Sequence, residues 1–394
     1  MRFFQNVILL AFFISSCNSQ VSEEKKVNTQ IRVQVGAGQF DEYLDGLKGK
    51  KVALVVNQTS VVENIHLVDT LLSLGIDVQK IFAPEHGFRG QADAGETVSD
   101  SRDLKTGIPI VSIYGKNKKP SAEQLDSVDV VVFDIQDVGA RFYTYISSMH
   151  YVMEACAEMV IPFVVLDRPN PNGDYVDGSV LEKGFESFVG LHPIPVVHGM
   201  TVGELAKMIN KEGWLSNSIQ ADLKVIKTRG WDHKTPYELP IKPSPNLPNS
   251  QSIKLYPSLC FFEGTIMSVG RGTDFPFQVI GYPNENYGEF SFTPKSNIGA
   301  KYPKHQEQKC YGADLRNVEV GAKLDLSHLI KFYTLSEDKE AFFNGYFDKL
   351  AGNSWLREWI MDGKTESEIR KRWSDDLNRF RKLRLKYLLY ADFE

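Results

Sequence analysis

Glu85 and His86 stand in a Pro-Glu-His-Gly segment, residues 84–87, directly after an apolar run. The proline before the pair and the glycine after it fix and turn the backbone, which suits a carboxylate that projects from the end of a strand. The apolar neighbours Phe82 and Phe88 favour a protonated carboxyl, which a general acid requires. Glu85 is therefore a candidate general acid. The alternative is a carboxylate that caps a helix or braces a loop.

A second polar group surrounds the end of the apolar run at 129–135 and includes Asp134, Asp137, Arg141 and Tyr143. The arginine either pairs with these carboxylates in a network that orders the loop, or clamps the carboxylate of a ligand bidentately. The tyrosine is a candidate for stacking or hydrogen bonding with a ligand, or else a core residue. Both interpretations stay open for each residue.

Three further segments carry candidate chemistry. Asp167, Arg168 and Asn170 follow another apolar run, where two prolines make the chain rigid, and His198 precedes a helical pattern. A lone histidine is more often structural than catalytic. Around Glu263, the segment 263–273 is rich in glycine. Its Gly-Arg-Gly-Thr part, with Arg271 and Thr273, offers backbone N–H groups to an anion.

The elements that position these residues follow from hydrophobic patterns. Strands are predicted at 51–57, 78–82, 110–114, 129–135 and 162–166, with helices at 64–74 and 143–159. Continuous apolar strands separated by helices indicate a parallel sheet covered on both faces, which is a doubly wound α/β domain. Ligands bind beyond the carboxyl ends of such strands, so the polar segments are expected to form one site. Neither a P-loop nor a GxGxxG segment after the first strand is present, so no nucleotide cofactor is expected.

The later part of the chain has a different character. A helix with a capping box is predicted at 201–212 and a strand at 223–227, whereas the proline-rich segment 240–248 suits neither element. Turn-rich segments at 281–303 precede helices predicted at 324–334 and 366–390. We therefore predict a doubly wound α/β domain over 35–277 that carries the candidate catalytic residues, and a smaller C-terminal α+β domain over 278–394.

The composition is that of an ordinary soluble globular protein: 394 residues, 42% hydrophobic, 24% charged, with a net charge of −5. No basic block suits nucleic acid, and no partner protein is indicated. Cysteine spacing predicts no metal site, because CxxC and HExxH are absent from the sequence. Cys156 is expected to be a core thiol, whereas Cys260 and Cys310 either pair in an oxidising compartment or remain free.

The N-terminus predicts the location of the protein. Residues 1–17 combine Arg2, a short apolar core and Ile-Ser-Ser-Cys, a pattern typical of a bacterial lipoprotein signal whose Cys17 becomes lipidated. Residues 18–34 are expected to form a flexible tether. The sequence thus favours an envelope protein that contacts the membrane only through its lipid anchor. An ordinary signal peptide with an incidental cysteine is the alternative.

Taken together, the motifs resemble the exo-β-N-acetylmuramidase glycoside hydrolases, long catalogued as a domain of unknown function. The resemblance extends from about Val35 to the C-terminus and rests on the segments 82–90, 133–145, 166–171, 198–204, 243–246, 263–265 and 270–273. One departure is Ile266, where many members are expected to have asparagine. The resemblance implies a Rossmann-like catalytic domain with a C-terminal auxiliary domain, and release of terminal N-acetylmuramic acid from the non-reducing end of peptidoglycan fragments.

The resemblance also implies roles for individual residues. Glu85 matches the Pro-Glu-His-Gly motif of the family and is therefore expected to be a catalytic residue. The candidates for the second catalytic group are Glu263, Asp134, Asp137 and Tyr143. N-acetylmuramic acid carries a lactyl carboxylate, so a cationic clamp is expected. Its candidates are Arg141, Arg168 and Arg271, of which Arg271 is favoured. The remaining matched positions are expected to bind substrate: His86, Asp167, Asn170, His198, Asn246 and Thr273.

Two rival functions fit parts of the sequence. One is a metal-dependent hydrolase of cell-wall amides, with His86, Asp134, Asp167 and His198 as ligands. The other is a non-catalytic saccharide-binding lipoprotein, which the tether and aromatic loops also suit.

Overall fold

The computed structural model of the protein describes residues 33–88 and 100–394. The predicted signal peptide with Cys17, nearly all of the tether and the end of the 82–90 motif lie outside the described residues. The described chain from Val33 to Glu394 forms one compact unit.

Strands and helices alternate through the described residues. The strands in chain order are β1 (Lys51–Val56), β2 (Val61–Val62), β3 (Ile65–His66), β4 (Asp77–Ala83), β5 (Ser101–Arg102), β6 (Pro109–Ser112), β7 (Val130–Asp134), β8 (Phe163–Leu166), β9 (Asp177–Val180), β10 (Pro195–Val197), β11 (Leu223–Ile226), β12 (Val279–Tyr282), β13 (Phe290–Phe292) and β14 (Cys310–Asp314). The α-helices are α1 (Phe40–Tyr43), α2 (Leu67–Ser73), α3 (Ala122–Leu125), α4 (Tyr145–Glu158), α5 (Val202–Lys211), α6 (Ser250–Leu259), α7 (Ser327–Leu335), α8 (Phe347–Ala351), α9 (Trp355–Met361) and α10 (Glu366–Arg384).

A seven-stranded sheet is the centre of the fold, in the order β11-β8-β7-β1-β4-β6-β5. Its neighbours pair in parallel except for β5, which is antiparallel to β6. The chain builds outward from β1 to β4 and β6, then returns to place β7 on the other side of β1. The prediction of a Rossmann-like, mostly parallel sheet is confirmed, and its topological switch point lies between β1 and β7.

Side chains of each central strand alternate between two buried faces. Val52 and Leu54 of β1 pack in the cluster that contains α2. Ala53 and Val55 pack in the larger cluster on the other face, which contains α4 and α5. This double burial explains why the strands read as uninterrupted apolar runs.

The C-terminal part contains a small antiparallel sheet, in the order β12-β14-β13, and the helices α7 to α10. Apolar residues of these helices, among them Phe332 and Phe380, belong to the same core cluster as α4 and α5. The smaller C-terminal α+β part therefore packs directly on one face of the main sheet. The domain boundary at 277/278 stays a prediction.

Several local predictions need correction. The helix predicted at 64–74 begins only at Leu67, because residues 61–66 form the β2–β3 hairpin, in which Glu63 has a φ of 55°. The helix predicted at 366–390 ends at Arg384. In the turn-rich region predicted at 281–303, β13 forms and β12 overlaps the start, and β14 follows after it.

The described cysteines are all free thiols and buried: Cys156, Cys260 and Cys310. Cys260 and Cys310 lie in different core clusters, so of the two alternatives the structure has them unpaired. None of the helices in the described part of the chain combines the length and the apolar character that a membrane span needs.

Candidate active site

A cavity of about 670 Å³ lies beyond the carboxyl ends of β4, β6 and β7 and reaches the C-terminal part. Six of the residues predicted from sequence line it: Glu85, His86, Tyr143, Asn246, Glu263 and Arg271. The size is typical of a small-molecule site. Six of the predicted residues thus meet at one cavity, whereas the other predicted residues have different partners.

Glu85 lies in the turn directly after β4 and is almost fully buried, with 9% of its surface exposed. Tyr114, just after β6, donates its hydroxyl to Glu85 Oε1 at 2.8 Å. Thr144, just before α4, donates its hydroxyl to Oε2 at 2.5 Å. Two strands and a helix start thus fix both oxygens of one carboxyl group at the cavity wall, which is the preorganisation a general acid needs.

The turn that carries Glu85 is tight. Gly87 N–H donates to Pro84 O at 2.9 Å, and His86 has a φ of 68° between them. A left-handed conformation at a histidine costs free energy and persists when the surroundings enforce it. The cost is consistent with a turn whose geometry serves to aim Glu85.

Glu263 faces the cavity from the short 3₁₀ helix Cys260–Gly264 that follows α6. Arg271 donates Nε to its two carboxylate oxygens at 3.1 and 3.2 Å, and the guanidinium lies 5.0 Å from the centre of the Phe277 ring. The contact holds a second acidic side chain in a fixed position at the cavity wall.

Lys304 holds the backbone around Glu263. Its ammonium donates to the carbonyl oxygens of Phe262, Glu263 and Thr265 at 3.1, 3.0 and 2.7 Å. Burial lowers the pKa of Lys304. Lys304 thus holds the backbone of the Glu-Gly-Thr motif in place and makes no hydrogen bond to the Glu263 carboxylate in the described structure.

The glycine of that motif, Gly264, lets α8 approach the cavity. A Cβ at this position would lie 2.5 Å from the Cα atom of Phe347 in α8, a distance that real Cβ atoms do not show. The close approach places Tyr346 and Lys349 in the cavity lining. The motif therefore supplies a carboxylate and the space for a helix.

Tyr143 lines the cavity, but its hydroxyl donates to Pro243 O at 2.9 Å. Burial raises the pKa of the phenol well above its usual value, so the side chain is neutral at physiological pH. This arrangement suits a wall residue. The role of Tyr143 as a second catalytic group stays a prediction that the geometry does not favour.

Arg141 has structural partners. Its guanidinium donates to four backbone carbonyls, those of Ser179, Ile194, Leu350 and Ala351, at 2.6 to 2.9 Å. Burial without a carboxylate partner lowers its pKa to about 9, so it remains charged. It ties the segment after β7 to α8 and does not lie in the cavity lining.

Two other predicted clusters are internal networks. Arg168 donates Nε and Nη2 to the buried carboxylate of Asp134 at 2.6 and 2.9 Å, a bidentate pair. Asp167 accepts from the Thr201 hydroxyl at 2.7 Å and the Tyr390 hydroxyl at 2.6 Å, as well as from two backbone N–H groups. With these partners, both carboxylates order the ends of β7 and β8.

Asp137 and His198 lie near each other in the interior. His198 Nε2 is 3.8 Å from Asp137 Oδ2, which accepts from Gly139 N–H at 2.7 Å. Burial raises the pKa of Asp137 to about 7 and lowers the pKa of His198 to about 3. His198 is therefore neutral at physiological pH, and Asp137 is the member of the pair that titrates near pH 7; neither residue lines the cavity.

The predicted polar ligands also have defined partners. Asn246 lines the cavity and donates to Gly299 O at 2.6 Å, whereas Asn170 donates to Met200 O at 2.9 Å and lines a separate cavity of about 430 Å³. Thr273 donates to Gly270 O at 2.6 Å inside its own turn. Only Asn246 of these three reaches the main cavity.

The proposed metal ligands of the rival hydrolase do not assemble. His86, Asp134, Asp167 and His198 do not meet, and no group of three or more His, Cys, Asp or Glu within 33–88 and 100–394 could hold a metal ion.

Sequence reasoning missed several lining residues. These are Tyr114, Lys118, Thr144, Phe188, Tyr256, Phe277, Tyr346 and Lys349. Tyr114 lies two residues after the end of β6, so the strand-end argument that selects Glu85 applies to it as well. The α8 residues gave no signal, because their place depends on packing between distant segments.

Comparisons with known proteins agree with this architecture. The family model described as exo-beta-N-acetylmuramidase NamZ, N-terminal, matches residues 52–251, and its C-terminal counterpart matches residues 254–390. The peptidoglycan beta-N-acetylmuramidase NamZ of Bacillus subtilis is 42% identical over 395 residues, covering 94% of this chain and 93% of that protein.

Two crystal structures of DUF1343 family proteins from Bacteroides fragilis have the same fold. The first has a TM-score of 0.85 at 46% identity and covers 91% of this chain and 99% of its own. The second has a TM-score of 0.77 at 32% identity and covers 92% of this chain and all of its own.

Proposed function

The chain belongs to the exo-beta-N-acetylmuramidase NamZ family, and on that basis we propose that it is an exo-acting glycoside hydrolase. It releases N-acetylmuramic acid from the non-reducing end of peptidoglycan fragments, in cell-wall turnover or scavenging. The structural observation that supports this function best is Glu85, a buried carboxyl held by two hydroxyls at the wall of a cavity of about 670 Å³.

Glycoside hydrolysis needs a proton donor for the leaving oxygen and usually a second carboxylate. Glu85 is assigned as the general acid because its position is fixed by Tyr114 and Thr144. Glu263 is assigned as the second carboxylate, since among the catalytic candidates it is the other acidic residue in the lining. Arg271 donates to both of its oxygens and so fixes the position of this carboxyl group at the cavity wall.

The activity test uses the chain from residue 35 onward with a chromogenic β-N-acetylmuraminide and the matching β-N-acetylglucosaminide. We expect release from the first substrate only, and a loss of about a hundredfold or more in Glu85→Gln. Glu123→Gln, at an exposed position of α3, is the matched control and should retain activity. Absence of release from both substrates by the unmodified protein would contradict the proposed reaction.

We also propose that Cys17 is lipidated and holds the enzyme in the bacterial cell envelope, periplasmic or surface-facing. The support is the Ile-Ser-Ser-Cys pattern after a short apolar segment, followed by a polar tether. Such an anchor would place the enzyme beside its polymeric substrate.

A full-length chain expressed in a bacterium fed a labelled fatty acid tests the anchor. The label should enter the protein, partition it into detergent, and be lost in Cys17→Ser. An unlabelled wild-type protein in the aqueous phase would contradict the proposal.

A further inference from the structure

The charges that line the main cavity do not balance among the residues that the structure describes. In this part of the lining the Lys and Arg side chains are Lys118, Arg271 and Lys349, and the carboxyl groups are Glu85 and Glu263. Arg271 and Glu263 form an ion pair and so neutralise each other. Lys118 and Lys349 then face a single remaining carboxyl group, Glu85, whose two oxygens already accept hydrogen bonds from Tyr114 and Thr144. The cavity thus favours an anionic ligand.

Lys118 is the better placed of the two lysines. It is half-buried, and its ammonium lies 4.8 Å from the centre of the Phe188 ring. Phe188 itself stacks on Tyr151 of α4, with ring centres 6.3 Å apart and planes 13° from parallel. The aromatic pair gives the ammonium a defined position at the cavity wall.

The loop that carries Lys118 also carries Tyr114, which contacts the proposed general acid Glu85. Lys118 lies four residues after Tyr114, whose hydroxyl contacts Glu85, and the Tyr114 ring packs 5.8 Å from Phe188. Among the residues that the structure describes, the Lys118 ammonium has no carboxylate or carbonyl partner, so its three N–H donors are available to a ligand.

We propose that Lys118 binds the lactyl carboxylate of N-acetylmuramic acid and is the main determinant of selectivity for this sugar. The assignment rests on the proposed function, which supplies a substrate with one carboxylate on the sugar ring. It replaces the arginine clamp expected from sequence, because Arg141 and Arg168 have internal partners and the charge of Arg271 is already paired. Lys349 is exposed on α8 and is assigned no direct contact with this carboxylate.

The test compares two ligands that differ only at the lactyl group: the free acid and its N-methylamide. Both are made as chromogenic β-glycosides for kcat/KM and as free sugars for equilibrium binding by calorimetry. The proteins are the wild type, Lys118→Met, Lys349→Met, and Lys116→Met as a matched exposed lysine on the same loop that does not line the cavity.

We expect the wild type to prefer the acid by about tenfold to a hundredfold, the range of a charge-assisted hydrogen bond. Lys118→Met should reduce this preference to about twofold or less, mainly through KM, while Lys116→Met and Lys349→Met keep it. An acid preference that survives in Lys118→Met, or that disappears in Lys349→Met instead, overturns the assignment.

The two measurements separate this inference from the proposed function. Turnover with equal use of acid and amide by the wild type overturns the role of Lys118 and leaves the hydrolase intact. Lys118-dependent binding of the acid without turnover supports the site and contradicts the hydrolase. If the wild type shows neither binding nor turnover, that result contradicts both the role of Lys118 and the proposed hydrolase.

Discussion

At the scale of single residues, the proposed catalysis depends on how Glu85 is held. Tyr114 and Thr144 each donate a hydroxyl to one carboxyl oxygen, so either hydroxyl can be removed with little change in shape. The hydroxyls do not touch the sugar in this account, and we class both as positioning residues. Their removal is expected to affect the chemical step more than substrate binding.

Tyr114→Phe is expected to lower kcat by about tenfold or more, because negative charge develops on Glu85 as its proton is transferred and a hydrogen bond to a charged group is worth about 1.5–3 kcal/mol. KM should change little, since the ring that packs on Phe188 is retained. Steady-state kinetics on the chromogenic muraminide measure both constants. Tyr151→Phe, outside the cavity lining, is the control, and equal kcat values for the two variants would argue against the positioning role.

Asp137 gives a prediction about pH and stability. Burial raises its pKa from 3.8 to about 7, so between about pH 4 and 7 the folded protein retains a proton that the unfolded chain releases. The free energy of unfolding attributable to this group therefore falls as pH rises through that window and stays low above it.

Asp137→Asn keeps an oxygen for the Gly139 N–H and removes the titration. The variant should gain stability relative to the wild type as pH rises, by roughly 2–4 kcal/mol at about pH 8. Urea unfolding at a series of pH values measures the difference. Asp375→Asn, at an exposed position of α10, should follow the wild-type curve; parallel curves for Asp137→Asn would refute the assignment.

At the scale of elements, the sequence predicted the parts of the molecule that depend on local pattern. The strand predicted at 51–57 is β1, and the capping box at Thr201 and Glu204 begins α5 as expected. The place of Glu85 at the cavity was predictable because a parallel sheet gathers its strand ends at one edge. The partners of Arg141 were not predictable, because its four carbonyl acceptors belong to segments as far away as Ala351.

The C-terminal helix shows the same limit. Its apolar period continues past residue 384, but the chain leaves the helix because Leu389, Tyr390 and Asp392 bond to Glu204, Asp167 and Arg384. Long-range hydrogen bonds of this kind leave no periodic signal in the sequence. The strands β12 to β14 were missed for a related reason: each has only three to five residues and is stabilised by its neighbours.

The packing of α8 on Gly264 gives a prediction at this scale. Gly264→Ala places a Cβ against the Phe347 backbone and should displace α8, with a cost of about 1–3 kcal/mol in stability and a higher KM. Gly345→Ala is the matched control, since a Cβ there meets nothing within 4 Å. Thermal unfolding and steady-state kinetics measure the effects. Indistinguishable behaviour of the two variants would show that α8 does not depend on this glycine.

At the scale of the whole molecule, residues near the C-terminus form hydrogen bonds with the end of the seven-stranded sheet. Tyr390 donates its hydroxyl to Asp167 at the end of β8 and accepts from Thr228 N–H at 2.9 Å. Leu389 N–H donates to Glu204 in α5 at 2.8 Å. The C-terminal segment therefore stabilises the end of β8 and the start of α5, two places that are distant from it in sequence.

Tyr390→Phe is expected to lower the free energy of unfolding of the entire chain by about 1–3 kcal/mol, because Asp167 loses a donor and Thr228 loses an acceptor. Urea unfolding followed by tryptophan fluorescence should show one transition at a lower midpoint with an unchanged slope. Tyr302→Phe, at a residue that is 92% exposed, is the control. Equal midpoints would mean that the tail contact contributes nothing to stability.

The most direct test of the central claim, that Glu85 protonates the leaving oxygen, is a series of aryl β-N-acetylmuraminides whose phenols differ in acidity. Wild type and Glu85→Ala are compared by kcat/KM across the series. We predict a small loss for the most acidic phenols, which leave without a proton, and a loss that grows to about 10²–10⁴ for the least acidic. The same loss for every phenol would contradict the assignment of Glu85 as the general acid.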